Sequence, residues 1–180
     1  MSKKQEFTIS VFTENRTGLI SRVVSIFTRR HINIESLTTS QSSIEGIHRF
    51  TIVIKTTEEQ VIKLIGQLDK QIEVLKSFYY TSDDIAFQEI ALYKVPTKAF
   101  SGGDVIEKII RKHNARILRI EPEYTVIEKT GHEFETDDLF ADLKIHGIYE
   151  FVRSGRVAIP KPMEKLLEYL KKMNITINDN

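Results

Sequence analysis

The stretch ENRTGLISRVVSIFTRRHINIESL, residues 14–37, carries the residue types best suited to holding a small ligand. Asn15 offers both a hydrogen-bond donor and an acceptor. Gly18 has no side chain, so a ligand can approach the backbone there. Apolar residues at helical spacing follow, and a helix start presents unpaired N–H groups and the positive end of a dipole. Such a start suits a carboxylate or a phosphate. Asn33 repeats the amide chemistry of Asn15 one helix length later. Together, the N–H groups could grip the carboxylate of a free amino acid and the amide oxygens its ammonium. The same residues also fit a plain capped turn, with Thr17 as N-cap and both asparagines bonded to local backbone.

Other candidates are weaker. The histidines, at positions 31, 48, 113, 132 and 146, form no pair at metal-ligand spacing and read as surface or helix-end residues. His31 falls beside Arg29 and Arg30, where a cation complements a helix C-terminus. The acid pairs Asp83–Asp84 and Asp137–Asp138 sit at a linker and a helix start, which points to solvated capping rather than acid–base chemistry. SGGD at 101–104 opens a helix but lacks a Walker lysine and dinucleotide spacing. FVRSGRV, with Arg153 and Arg156, reads as an exposed strand end. No known nucleophile arrangement has a counterpart.

Composition narrows the class. The chain has 180 residues, 41% hydrophobic and 28% charged, as a soluble globular protein of one or two domains does. A net charge of +1 argues against binding nucleic acid by electrostatics. Cysteine is absent, which removes disulfides, thiolate metal sites and cysteine nucleophiles. No apolar run approaches a membrane span, and the N-terminus lacks a signal-like stretch. The expectation is a cytoplasmic protein with no membrane contact.

The elements that position the opening stretch follow from periodicity. Phe7, Ile9 and Val11 alternate with Thr8 and Ser10, predicting a half-buried strand. Ile20, Val23, Val24 and Phe27 predict the core face of an amphipathic helix. Ile32 and Ile34 open a second strand, with Asn33 at its start, and Phe50, Ile52 and Ile54 line a third. Thr57 and Gln60 have capping-box spacing before a helix carrying Val61, Leu64, Ile65 and Leu68. QIEVLKSFYY is a fourth strand. After the polar TSDD at 81–84, a similar order recurs: a strand to Pro96, a helix with Val105, Ile106, Ile109 and Ile110, two strands hinged at Pro122, a helix over ETDDLFADLKIHG and a closing strand IYEFVRSGRVAI. Met163, Leu166, Leu167 and Leu170 predict a short C-terminal helix. The fold class is α+β: two ferredoxin-like βαββαβ units and a C-terminal helical extension, with boundaries at 1–82, 83–160 and 161–180. The second strand of such a unit is a sheet edge, which invites pairing with another chain.

These residues carry a resemblance. Glu14-Asn15, Gly18, Ile20-Ser21-Arg22-Val23, Phe27 and Asn33 through Thr38 resemble the signature of an ACT domain in the acetolactate synthase (acetohydroxyacid synthase) small regulatory subunit family. The likeness extends to LDKQIEVLKS (68–77), EIALYKV (89–95), YTVIEKTG (124–131) and VRSGRVAI (152–159). It departs from the family at Leu19-Ile20, where Ala-Leu is frequent, at His31, where glycine is common, and beyond residue 163. The resemblance implies a chain without activity of its own and without cofactors. Its partner is the acetolactate synthase large subunit, which uses thiamine diphosphate, FAD and magnesium in branched-chain amino acid biosynthesis. The chain would activate that subunit and confer feedback inhibition by valine or a related amino acid. It implies a homodimer with the effector between two ACT domains: Asn15, Gly18 and the N–H groups of Leu19 and Ile20 from one chain, Asn33 from the other. The alternative is a free-standing ACT-domain sensor of another enzyme or of transcription.

Overall fold

The computed structural model describes residues 3–161, so the helix expected from Met163 onward lies outside the described residues. The chain divides into two compact units. One runs to Ala86 and resumes at Arg156; the other spans Phe87–Gly155. The division falls four residues after the 82/83 break read from the sequence, and the described residues from Arg156 to Lys161 belong with the first unit.

The first unit runs β1 (Gln5–Glu14), α1 (Leu19–Arg29), β2 (Ile34–Gln41), β3 (Ile47–Thr56), α2 (Glu58–Leu68) and β4 (Val74–Tyr80). Its antiparallel sheet has the order β2-β3-β1-β4, leaving β2 at an edge. Phe7 stands opposite Ile54, Ile9 opposite Ile52 and Val11 opposite Phe50. Residues directly opposite share a face, so these six make one apolar surface. Leu19, Val23, Ile26 and Phe27 from α1 and Val61, Leu64 and Leu68 from α2 join them in the same core. The buried face of α1 is therefore turned from the predicted one, with Leu19 and Ile26 inside and Ile20 47% exposed. Leu19 and Ile20 are both apolar neighbours, and the way the helix lies on the sheet decides between them.

β1 also differs from its half-buried expectation, because Thr8 and Ser10 are buried too. Arg156 donates to Thr8 Oγ1 at 2.8 Å and to Glu6 Oε1 at 2.8 Å, while Arg49 donates to Ser10 Oγ at 2.8 Å. Thr38 Oγ1 donates to the Arg156 carbonyl at 2.8 Å. The polar face of this central strand is thus roofed by hydrogen-bonded arginines rather than by water.

The second unit is built on β5 (Ile85–Pro96), α3 (Val105–Lys112), β6 (Arg116–Ile120), β7 (Tyr124–Gly131), α4 (Glu133–Lys144) and β8 (Glu150–Arg153). Its strands take the order β6-β7-β5-β8, the same topology as the first sheet. Tyr93, Val95, Ile106, Ile110, Ile127, Leu139 and Leu143 form its core. The single closing strand expected from IYEFVRSGRVAI is two strands, β8 and β9 (Val157–Pro160). Ser154, Gly155 and Arg156 interrupt it. Here Ser154 Oγ accepts from the Ile90 N–H at 2.9 Å.

Both units close their first helix in the same way. His31, with φ 53°, follows α1, and Ile32 N–H donates back to the Phe27 carbonyl at 3.1 Å. Asn114, with φ 50°, follows α3, and Ala115 N–H donates to Ile110 at 2.9 Å. A left-handed residue with this back-bond is a Schellman-type ending, so His31 fills a place where glycine is the easiest residue.

Candidate functional site

The turn between β1 and α1 gathers four of the five predicted site residues. Gly18 is the N-cap of α1, with φ 82° and no side-chain cap hydrogen bond. Thr17, predicted as N-cap, does not cap the helix. The left-handed φ explains the glycine, since a side chain is strained there. Apart from its chain neighbours, nothing lies within 4 Å of where a Gly18 Cβ would stand, so there is open space on that side of the turn. Leu19 is buried and anchors the first turn, while Ile20 and Asn15 face outward. By contrast α2 has its start closed by the Thr57–Gln60 capping box. One helix of this unit begins capped and the other does not.

The turn is held from two sides. Asn15 N–H donates to the Gly46 carbonyl at 3.2 Å, and Glu14 N–H donates to the Glu73 carbonyl at 3.1 Å. Around it lie four charges: Arg16 pairs with Glu14 at 2.7 Å, and Arg22 pairs with Glu73. A hydrogen bond from its own N–H, then Arg22 and Arg16, hold the Glu73 carboxyl below the usual range, against partial desolvation. Sequence inspection missed the Arg22–Glu73 contact, because nothing local marks a pair 51 positions apart.

Asn33 does not join this group within one chain. It lies exposed just before β2, which begins at Ile34, one residue later than the start expected at Asn33, and its side chain donates to Glu35 Oε1 at 3.2 Å. The 11 residues of α1 separate it from Gly18. At 1.5 Å per residue that is roughly 16 Å, longer than an amino acid. Asn33 does lie where the edge strand β2 begins.

Elsewhere the candidates resolve into structure. Arg153 is not an exposed strand end: it meets Asp137 at 2.7 Å, Glu133 at 3.0 Å and the buried Glu89 at 3.4 Å. Arg156 is 3% exposed. Asp137, expected as a solvated cap, belongs to that Arg153 cluster. Asp84 accepts from Thr81 Oγ1 and N–H at 2.6 and 2.9 Å in a 3-10 turn. His132 is the N-cap of α4, and His113 ends α3 against Asp142 at 2.8 Å. In SGGD the helix start is occupied by Asp104, which pairs with Lys108 at 2.9 Å. Among the described residues no group of three or more histidine, aspartate or glutamate side chains could hold a metal ion. Nor is any helix among them long and apolar enough to cross a membrane.

The decisive comparison is with known sequences. The AHAS small subunit-like ACT domain family matches residues 9–76, and the family described as small subunit of acetolactate synthase matches residues 88–162. The acetolactate synthase small subunit of Bacillus subtilis is 33% identical over 93% of this chain and 97% of its own length. The chain belongs to the acetolactate synthase small-subunit family. A probable small subunit from Archaeoglobus fulgidus is 32% identical over 88% of this chain and 98% of its own. The fold agrees as well. The crystal structure of the small subunit from Thermotoga maritima superposes with a TM-score of 0.79 at 25% identity, covering 87% of this chain and 98% of that one. The first unit is thus the family's ACT domain, and the open helix start lies in it.

Proposed function

We propose that this chain is the regulatory partner of a catalytic acetolactate synthase large subunit, raising its activity and conferring feedback inhibition by valine or a related branched-chain amino acid. The observation that carries the effector role is the start of α1: uncapped, opened by Gly18, and flanked by the exposed amide of Asn15. The Leu19 N–H bonds the Arg16 carbonyl at 3.4 Å, so the Ile20 N–H and the helix dipole are what suit the effector carboxylate, and the Asn15 amide suits the ammonium. Ile20, exposed beside them, offers apolar contact to a branched side chain.

Asn33 enters from a second copy. It is about a helix length away within one chain, yet it stands at the start of an edge strand free to pair. A homodimer formed by two β2 edges would bring each Asn33 toward the other chain's turn. Thiamine diphosphate, FAD and magnesium belong to the large subunit in this reading, and the complex works in the cytoplasm. The family membership supports the pairing of subunits; the helix start supports the sensing.

Two measurements test the reading. Solution mass at micromolar concentration should report a dimer. Titration calorimetry of the full chain should show valine, leucine or isoleucine binding. A ligand of about eight heavy atoms binding at about 6 kcal/mol has a dissociation constant in the tens of micromolar. No heat from any of the three at millimolar concentration removes the sensor role. A cognate large subunit whose turnover does not respond to the chain removes the regulatory one, and leaves a free-standing sensor.

A further inference from the structure

Arg22, in the first turns of α1, ties a carboxylate, that of Glu73, to this helix. Glu73 lies in the approach to β4, and its carbonyl accepts from the Glu14 N–H at 3.1 Å, so its backbone is fastened to the same turn that carries Asn15 and Gly18. Its side chain is only 13% exposed and is held ionised. A fixed negative charge close to a seat for an anion opposes the ligand. Arg22 answers it. Arg22 sits one turn into α1, its N–H bonded to the Gly18 carbonyl at 3.3 Å, and its guanidinium pairs with Glu73. Arg16, on the other side of Gly18, also acts on Glu73 but spends its hydrogen-bonding geometry on Glu14.

We propose that Arg22 is a positioning residue for effector binding: by cancelling the Glu73 carboxylate it keeps the start of α1 receptive to the carboxylate of an amino acid. The inference rests on the effector site proposed above. Arg22 itself need not touch the effector. Its side chain is 58% exposed, against 13% for Glu73. Its contribution is instead to the potential at the site, where removing one charge leaves the other unbalanced.

The two partners therefore have opposite signs, which a purely structural brace would not show. A brace is broken equally by losing either end. A neutraliser is missed when it is lost, and what it neutralises is not. The experiment is valine calorimetry on the full chain, with thermal melting to verify folding, for wild type, Arg22→Gln, Arg22→Lys, Glu73→Gln and the double variant Arg22→Gln/Glu73→Gln. Arg22→Gln should weaken valine binding about tenfold. Arg22→Lys, which keeps the charge, should stay within about threefold of wild type. Glu73→Gln should bind valine at least as tightly as wild type. The double variant should recover to within about threefold, the mark of a pair that is coupled rather than additive. Equal weakening by Arg22→Gln and Glu73→Gln, or an unchanged affinity in Arg22→Gln, overturns the proposal while leaving the effector site standing. A wild-type chain that binds no branched-chain amino acid overturns the effector site and this proposal with it.

Discussion

Replacing Gly18 by aspartate puts the effector site to its most direct test. The position is left-handed, with φ 82°, and nothing lies within 4 Å of the new Cβ. Space is therefore available, and the cost to folding is backbone strain of about 1 kcal/mol, since aspartate tolerates this region better than most residues. The helix dipole offsets part of that, because a negative charge is favourable at a helix start. The effect on the ligand is larger. The new carboxylate would stand among the N–H groups proposed to hold the effector carboxylate. At about 4 Å and an effective dielectric near 20, two such charges repel by about 4 kcal/mol. Salt screens the exposed part. Half the figure, about 2 kcal/mol, still weakens binding about thirtyfold. Asparagine at the same position is the control, with the same size and the same backbone tolerance but no charge. Calorimetry should give a large loss for Gly18→Asp and a small one for Gly18→Asn. Both variants should melt within a few degrees of wild type and still activate the large subunit. Wild-type valine affinity in a folded Gly18→Asp chain would refute the reasoning, because no carboxylate could then be sitting at the start of α1.

Three further outcomes are expected. Asn15→Ala should lose the valine response of the holoenzyme while leaving activation within about twofold, since docking needs no free amide; loss of activation in a folded Asn15→Ala chain would show that sensing and activation share one site. Arg156→Met should lower stability by about 2 kcal/mol in denaturant unfolding, because Glu6 and Thr8 lose their donor beneath a side chain that is 3% exposed; an unchanged midpoint would show that this roof on β1 is dispensable. Asp142 has its carboxyl held below the usual range by hydrogen bonds from His113 and Lys112, so the stability it contributes is complete above the unfolded carboxylate range near pH 4 and fades as pH falls through the lower folded value. Asp142→Asn should flatten that acid limb, and an identical acid limb in the variant would deny the contribution.

Sequence by itself determined whatever depends on covalent neighbours. Phe7, Ile9 and Val11 mark a strand, and Thr57 with Gln60 marks a capped helix, because periodicity and capping act within a turn or two of chain. Gly18 was legible only as a residue without a side chain at a helix start; its left-handed φ of 82° belongs to the folded turn. The repeated order of elements led to two ferredoxin-like units, since such orders have few packings. Tertiary structure decided what depends on residues far apart in the chain. Leu19 and Ile20 are equally apolar, and only the lie of α1 on the sheet buried the first and left the second exposed. Thr8 and Ser10 alternate as a solvent face should, yet the arginines at 49 and 156 cover them, the latter arriving 148 positions later. Arg22 meets Glu73 across 51 positions, and no local pattern records that meeting. The separation of Asn33 from Gly18 by the length of α1 is also a fact of the folded unit: a helix is stiff, so its two ends stay apart within one chain.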